Sequence, residues 1–157
     1  MNYKTMIVYY LTGTGNSYRA ACWMIEQAMV CALSARAIAA DTAQPEKELQ
    51  AGPTHLLGLV FPVHGFTAPW HVIRFVLALP RQDEMHAFVA VPRGATKIGR
   101  SRVFPGLEGT AGYLVALILV LKGYSVRGVT GLDMPSNWMS LHSSLSSVNV
   151  AFVLDKA

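Results

Sequence analysis

Uninterrupted apolar runs alternate along this chain with stretches in which apolar positions return every third or fourth residue. The first run, Met6 to Leu11, is apolar throughout, the pattern of a strand covered on both faces. Behind it Tyr18, Cys22, Ile25 and Met29 recur at helical steps and predict one face of a helix ending near Cys31 to Leu33. Ala35 to Ala40 reads as a short second strand. Gln44 to Gly52 reads as a polar connection with room for a short helix, and His55 to Phe61 as a third apolar strand. Pro69 suits the first position of a helix whose inner side is Val72, Val76 and Leu79. Phe88 to Val91 is a fourth strand, followed by a long loop rich in glycine and arginine from Pro92 to about Glu108. Thr110 to Lys122 predicts a helix stopped by Gly123, and Ser125 to Thr130 a fifth strand. Leu141, Leu145, Val148 and Phe152 keep helical spacing for a last helix, which the end of the chain at Ala157 is expected to truncate.

Strands alternating with helices imply right-handed crossovers and a mainly parallel sheet. The rhythm fits an α/β, three-layer, doubly wound sheet of five strands in the order 2-1-3-4-5, in a single domain over residues 1–157. In such a sheet, ligands bind beyond the carboxyl ends of the strands, where the winding reverses between the first and third. The connections at 12–17, 62–69 and 92–108 follow the first, third and fourth strands and emerge on that one edge.

The first of these connections carries the strongest chemistry. Thr12-Gly13-Thr14-Gly15-Asn16-Ser17 joins an apolar strand to a helix. Glycines let the backbone turn tightly and bring successive N–H groups near an anion, and the positive end of the helix favours one. Thr12, Thr14, Asn16 and Ser17 add four short polar side chains, with no Lys or Arg in the loop. The alternative is a strand-to-helix turn in which one Thr or Asn caps the helix, a task that needs only one of the four. The loop is no Walker motif, since Gly-Lys-Ser/Thr is absent. It is no dinucleotide fingerprint either, because the third glycine would fall at Ser17 or Tyr18.

Composition narrows the class. The 157 residues are 52% hydrophobic and 14% charged, so a membrane span has to be considered. The longest apolar stretch, Tyr113 to Leu121, stops at Lys122 and is too short for one. The chain runs from Met1 almost directly into the first strand, which leads us to expect a cytoplasmic protein. Cys22 and Cys31, on one predicted helix, are too far apart to bridge and are expected as buried, reduced thiols. The five histidines show no metal-ligand spacing. The net charge of +4 owes most to Arg93, Lys97, Arg100 and Arg102, without a nucleic-acid-binding motif or interleaved aromatics. Those cations read either as a solvated loop or as neighbours of an anionic ligand or acidic redox partner.

The first loop resembles the phosphate loop of the flavodoxin family, Ser/Thr-x-Thr-Gly-x-Thr/Ser, through Thr12, Thr14, Gly15 and Ser17. Together, residues 9–17, 61–69 (Phe-Pro-Val-His-Gly-Phe-Thr-Ala-Pro) and 134–138 (Met-Pro-Ser-Asn-Trp) resemble one branch of that family. The branch is the flavodoxin-like domain of ferrodoxins, which precedes a ferredoxin module holding two 4Fe–4S clusters. The resemblance implies FMN as cofactor and electron transfer as activity, with a ferredoxin module or another redox protein as partner. It puts the FMN phosphate on Thr12, Gly13, Thr14, Gly15, Asn16 and Ser17. The ring would lie against Pro62, Val63, His64, Gly65 and Phe66 and against the loop starting at Arg93. In that frame Phe66 or His64 would cover a ring face, and the Gly65 peptide could turn its carbonyl toward flavin N5 at a positive φ. Arg93, Gly94, Ala95, Thr96 and Gly99 would offer backbone N–H groups to the pyrimidine edge, with Arg93 or Lys97 adding positive charge.

Two features depart from the resemblance. Flavodoxins are acidic and this chain is basic, and the Cys-x-x-Cys-x-x-Cys-x-x-x-Cys run of a ferredoxin is missing. No catalytic residue is identified. An FMN-dependent NAD(P)H oxidoreductase on the same fold is the enzymatic alternative, with Arg93 and Arg100 attracting the nicotinamide phosphates. A third reading is a member of the fold that binds a partner and no flavin.

Overall fold

A computed structural model of the chain describes residues 3–98, 102–136 and 147–155. Its elements in order are β1 (Thr5–Tyr10), α1 (Asn16–Val30), β2 (Ser34–Ala39), α2 (Pro45–Glu48), β3 (His55–Val60), α3 (Trp70–Ala78), β4 (His86–Ile98), β5 (Arg102–Phe104), α4 (Ala111–Leu121), β6 (Ser125–Pro135) and α5 (Ser147–Leu154). Five strands run parallel in the spatial order β2-β1-β3-β4-β6, which is the order 2-1-3-4-5 once the short β5 is set aside. The doubly wound sheet expected from the alternation is therefore present.

Burial on both faces explains the apolar runs. Val8, Leu57, Val60, Val89, Ala90 and Val91 are all buried. One side of the sheet packs under α3 and α4 through Val72, Val76, Leu79, Val115 and Leu119, and the other under α1 through Ala20, Ala21 and Ala28. At about 25 cal/mol per Å² of apolar surface, this two-sided burial is the main stabilising term.

The differences from the sequence reading have physical causes. In α1 the buried residues are Ser17, Ala20, Ala21 and Ala28, while Tyr18 and Met29 of the expected stripe are exposed. Small side chains let the helix lie close to the sheet, a contact that ranking by hydrophobicity does not see. The cysteines are not buried as expected: Cys22 is half-buried and Cys31, at the C-cap, is exposed. Pro69 is the N-cap of α3 rather than its first helical residue. Of the residues expected in the last helix, Val148 and Phe152 lie in the eight-residue α5, while Leu141 and Leu145 are outside the described residues.

The largest correction concerns the expected loop at 92–108. The β4 strand continues to Ile98, and β5 returns antiparallel to it, pairing Thr96 with Phe104 and Ile98 with Arg102. The β6 strand likewise runs on past Thr130, in register with β4 as far as Ala95↔Pro135. Pro92 hid this, since proline reads as a strand breaker. The pairing of β3 with β4 ends at Val60↔Ala90, where the Ala90 carbonyl accepts from Phe61 N at 3.4 Å. Pro92, two residues on, points to the same side, where β3 has ended, so its missing N–H costs no ladder bond.

At the other end of β4, His86 is buried between two partners. A bulge in β6 sets Ala87 opposite Val126 and Phe88 opposite Gly128, so Arg127 is the extra residue. Its guanidinium donates to His86 Nε2, and His86 Nδ1 lies 2.8 Å from the Tyr3 hydroxyl. With Nε2 accepting from arginine, the neutral ring carries its proton on Nδ1 and donates it to Tyr3. Burial first, and then Arg127, hold the imidazole below its ordinary pKa, against a smaller opposing pull from Glu84. A folded pKa below the unfolded value means the unfolded chain binds the proton more readily. Stability from this group is thus present above the ordinary histidine range and lost as pH falls through it. Urea denaturation midpoints should drop between neutral pH and pH ~5, and His86→Gln should remove part of that drop.

Candidate functional site

The glycine loop ends β1 at the reversal of the sheet, with β2 on one side of the strand and β3 on the other. Gly15 is the N-cap of α1 at φ +92°, a left-handed conformation that favours glycine, and no side chain caps the helix. The Gly15 N–H donates to Thr12 Oγ1 at 3.0 Å, closing the loop on itself, and the Gly15 carbonyl accepts from Arg19 N at 2.9 Å. Asn16 Nδ2 donates to the Pro135 carbonyl at 3.2 Å, which ties the loop to the end of β6. Ser17 is buried, whereas Thr12, Gly13 and Thr14 are exposed. Thr12 and Asn16 thus shape the loop. The space over both glycines is open: a Cβ added at Gly13 or Gly15 would meet nothing within 4 Å. A helix N-terminus without a capping side chain, beneath open space, suits an anion.

The second connection folds into a tight turn. His64 N donates to the Thr67 carbonyl at 3.0 Å and Thr67 N to the His64 carbonyl at 3.1 Å. Between them Gly65 and Phe66 have φ of +56° and +61°, the signature of a type I′ turn. Gly65 adopts the positive φ expected of it. Phe66 does so too, which is strained for a bulky side chain and costs on the order of 1–3 kcal/mol. The strain is offset from α4, because Thr110 N donates to the Phe66 carbonyl at 2.9 Å. Gly109 makes that approach possible: a Cβ there would lie 2.2 Å from the Phe66 carbonyl oxygen. The turn presents His64, Gly65 and Phe66 to solvent, with Pro62 and Val63 half-buried below them. Phe66 is 57% exposed, an aromatic ring displayed by a held backbone.

The third group lies on the extended β4. Arg93 is clamped between two carboxylates: Nε donates to Asp133 Oδ1 at 2.8 Å, and Nη1 reaches Glu108 Oε2 at 3.3 Å. The hydrogen bond to Asp133 raises its pKa, so it stays charged. Asp133 Oδ1 also accepts from Gly106 N at 3.1 Å. This cluster joins β4, β6 and the segment after β5. The cation expected in a solvated loop or beside an anionic ligand is therefore a structural clamp, paired with one more negative charge than it carries. Gly94 and Ala95 lie on the strand opposite Met134 and Pro135, Thr96 pairs with β5, and Gly99 and Arg100 fall outside the described residues. Asn137 and Trp138 of the third motif do so as well.

Sequence reasoning missed Gly109 and Thr110, which hold the Phe66 turn, and Asp133 and Glu108, which neutralise Arg93. The left-handed glycine before α4 was the only available signal. No pattern in one chain connects Arg93 to a carboxylate forty residues away.

No protein-family model matches this chain, and no curated protein sequence does. Among solved structures it is similar to a flavodoxin from Streptococcus pneumoniae TIGR4, with 15% identity and a TM-score of 0.62 over 96% of this chain and 92% of that one. A flavodoxin from the domain Archaea is 16% identical, with a TM-score of 0.58 over 85% and 86%. Two-electron-reduced Megasphaera elsdenii flavodoxin is 15% identical, with a TM-score of 0.64 over 98% and 100%. At such identity the likeness establishes a flavodoxin-like fold.

Two substitutions probe the geometry. Gly109→Ala should cost about 1–3 kcal/mol through the positive φ and the clash with Phe66, read as a lowered melting temperature. Asp133→Asn should cost about 1–3 kcal/mol, because it leaves Arg93 with a weaker partner, and should speed amide exchange along the β4–β6 extension.

Proposed function

We propose that the chain binds FMN and transfers electrons through the flavin, as a carrier with no substrate of its own. The observation that carries this reading is the open N-terminus of α1, with Gly13 and Gly15 leaving clear space above it at the reversal point of the sheet. A phosphate dianion suits backbone donors at a helix N-terminus, and a Cβ built at either glycine would meet nothing within 4 Å. The similar structures are flavodoxins, one of them in a two-electron-reduced state, which supports a flavin in this fold.

On this reading, residues Thr12 to Ser17 hold the phosphate, chiefly through backbone N–H groups. Phe66 covers one face of the ring with Pro62, Val63 and His64 beside it, and the Gly65 peptide lies near the reactive edge. The backbone from Arg93 to Thr96 borders the pyrimidine edge. Bound FMN supplies the electron-transfer chemistry that the side chains here lack. The Arg93 clamp adds no surplus positive charge, so its part is to hold that wall in place. The partner is a ferredoxin module or a separate iron–sulfur protein, in the cytoplasm. No helix among the described residues is long and apolar enough to cross a membrane. Commitment of Arg93 to two carboxylates removes one of the two cations, Arg93 and Arg100, that a nicotinamide-dependent reductase would use, which favours a carrier.

Titration with FMN should quench flavin fluorescence and raise the melting temperature by mass action. Gly15→Val should abolish both effects. Phe66→Ala should weaken binding by roughly 2–10-fold, the equivalent of one lost ring contact. Under anaerobic conditions NADPH alone should leave the flavin oxidised, and rapid bleaching without a reductase would identify an enzyme instead. Absence of both quenching and thermal stabilisation in wild-type protein would refute the reading.

A further inference from the structure

We propose that the outward faces of α3 and α4 together form the interface of a homodimer of this chain. Trp70 and Leu77 on α3 and Tyr113, Leu117, Val120 and Leu121 on α4 are each 54–66% exposed. They recur at helical steps on the sides turned away from Val72, Val76, Val115 and Leu119, so α4 is apolar inside and outside, and α3 shows its outward Trp70 and Leu77 with exposed Arg74 and His71 between and beside them. The two outward faces adjoin. Phe75 leans away toward Tyr9 in an edge-on ring contact, and Gly112 packs against Val129 of β6, which leaves the opposite flanks of α3 and α4 facing each other. Lys122 Nζ donates to the Leu77 carbonyl at 2.8 Å and Arg81 Nη1 to the Leu121 carbonyl at 3.4 Å, binding the two helix ends into one surface.

Area and charge point to a second copy as the occupant. The six side chains expose on the order of 600 Å², at the upper end of what a monomer leaves uncovered. Doubled across a two-fold axis, that reaches about 1,200 Å², the lower bound of specific and stable interfaces. Neither helix contains an acidic residue, and Arg74 is the one arginine or lysine within them. Depletion of charge around aromatic and leucine side chains, with arginine retained, is the composition of a homodimer interface. An anionic membrane or an acidic partner would call for several cations presented outward, and within the two helices Arg74 is the one arginine or lysine that is. Lys122 and Arg81 sit at the edge of the face, each with one donor on a backbone carbonyl.

Sedimentation equilibrium of the full chain, from micromolar to near-millimolar concentration, tests the proposal. Wild-type protein should show the mass of a dimer at the upper end. Leu117→Glu and Leu77→Glu, both at exposed positions, should be monomeric with unchanged far-ultraviolet circular dichroism. Because the contact is apolar, high salt should preserve the dimer. A wild-type monomer at every concentration would overturn the proposal, as would a dimer that survives both substitutions. Monomeric protein that co-sediments with anionic phospholipid vesicles, and loses this with Leu117→Glu, would assign the face to a membrane surface and equally overturn it.

Discussion

The β1 strand is hydrogen-bonded on both sides, to β2 and to β3 along its whole length. That double pairing dictates what happens at its carboxyl end. The chain cannot continue as strand, because β2 and β3 connect through opposite layers of the sheet, and it must turn sharply into α1 to cover one face. A left-handed glycine makes the turn, and the Thr12 hydroxyl closes it. The helix therefore starts with its backbone donors above the sheet edge rather than under a capping side chain. The character of the candidate site follows from strand pairing before any ligand is considered.

The other walls are held at a distance from where their chemistry is written. The Phe66 turn stores backbone strain, offset by a hydrogen bond from the start of α4 and by the missing side chain at Gly109. Arg93 is held by Asp133 and Glu108, which fasten the extension of β4 to β6 and to the return after β5. In both cases a residue next to the candidate site is positioned by partners from a different part of the chain. Asn16 repeats the arrangement, reaching from the glycine loop to the end of β6. The three walls are thus coupled to one another through β6 and α4 rather than through their own connections.

Much of this was legible in one sequence. Both-face burial writes itself as unbroken apolar runs, so β1, β3 and the first half of β4 were recognisable, and their alternation with helical segments dictated parallel pairing. The glycine loop was legible because its glycines and small polar residues answer a local backbone demand. Longer-range features were not. Pro92 masked the extended β4, since only the early end of β3 makes a proline harmless there. The buried stripe of α1 was misjudged because alanines, chosen for close approach, carry less hydrophobic signal than the exposed Tyr18 and Met29.

By itself, then, the sequence determined the layer order, the place of the loops after β1 and β3 on one edge of the sheet, and the conformations for which glycine is needed. These depend on periodicity and on the backbone, which are properties of neighbouring residues. Only the tertiary structure decided that Arg93 is a clamp instead of a free cation, that Phe66 is held in a strained turn, and that two apolar helix faces lie side by side in solvent. Each of these depends on which distant groups come within a few ångströms, and that proximity is created by packing.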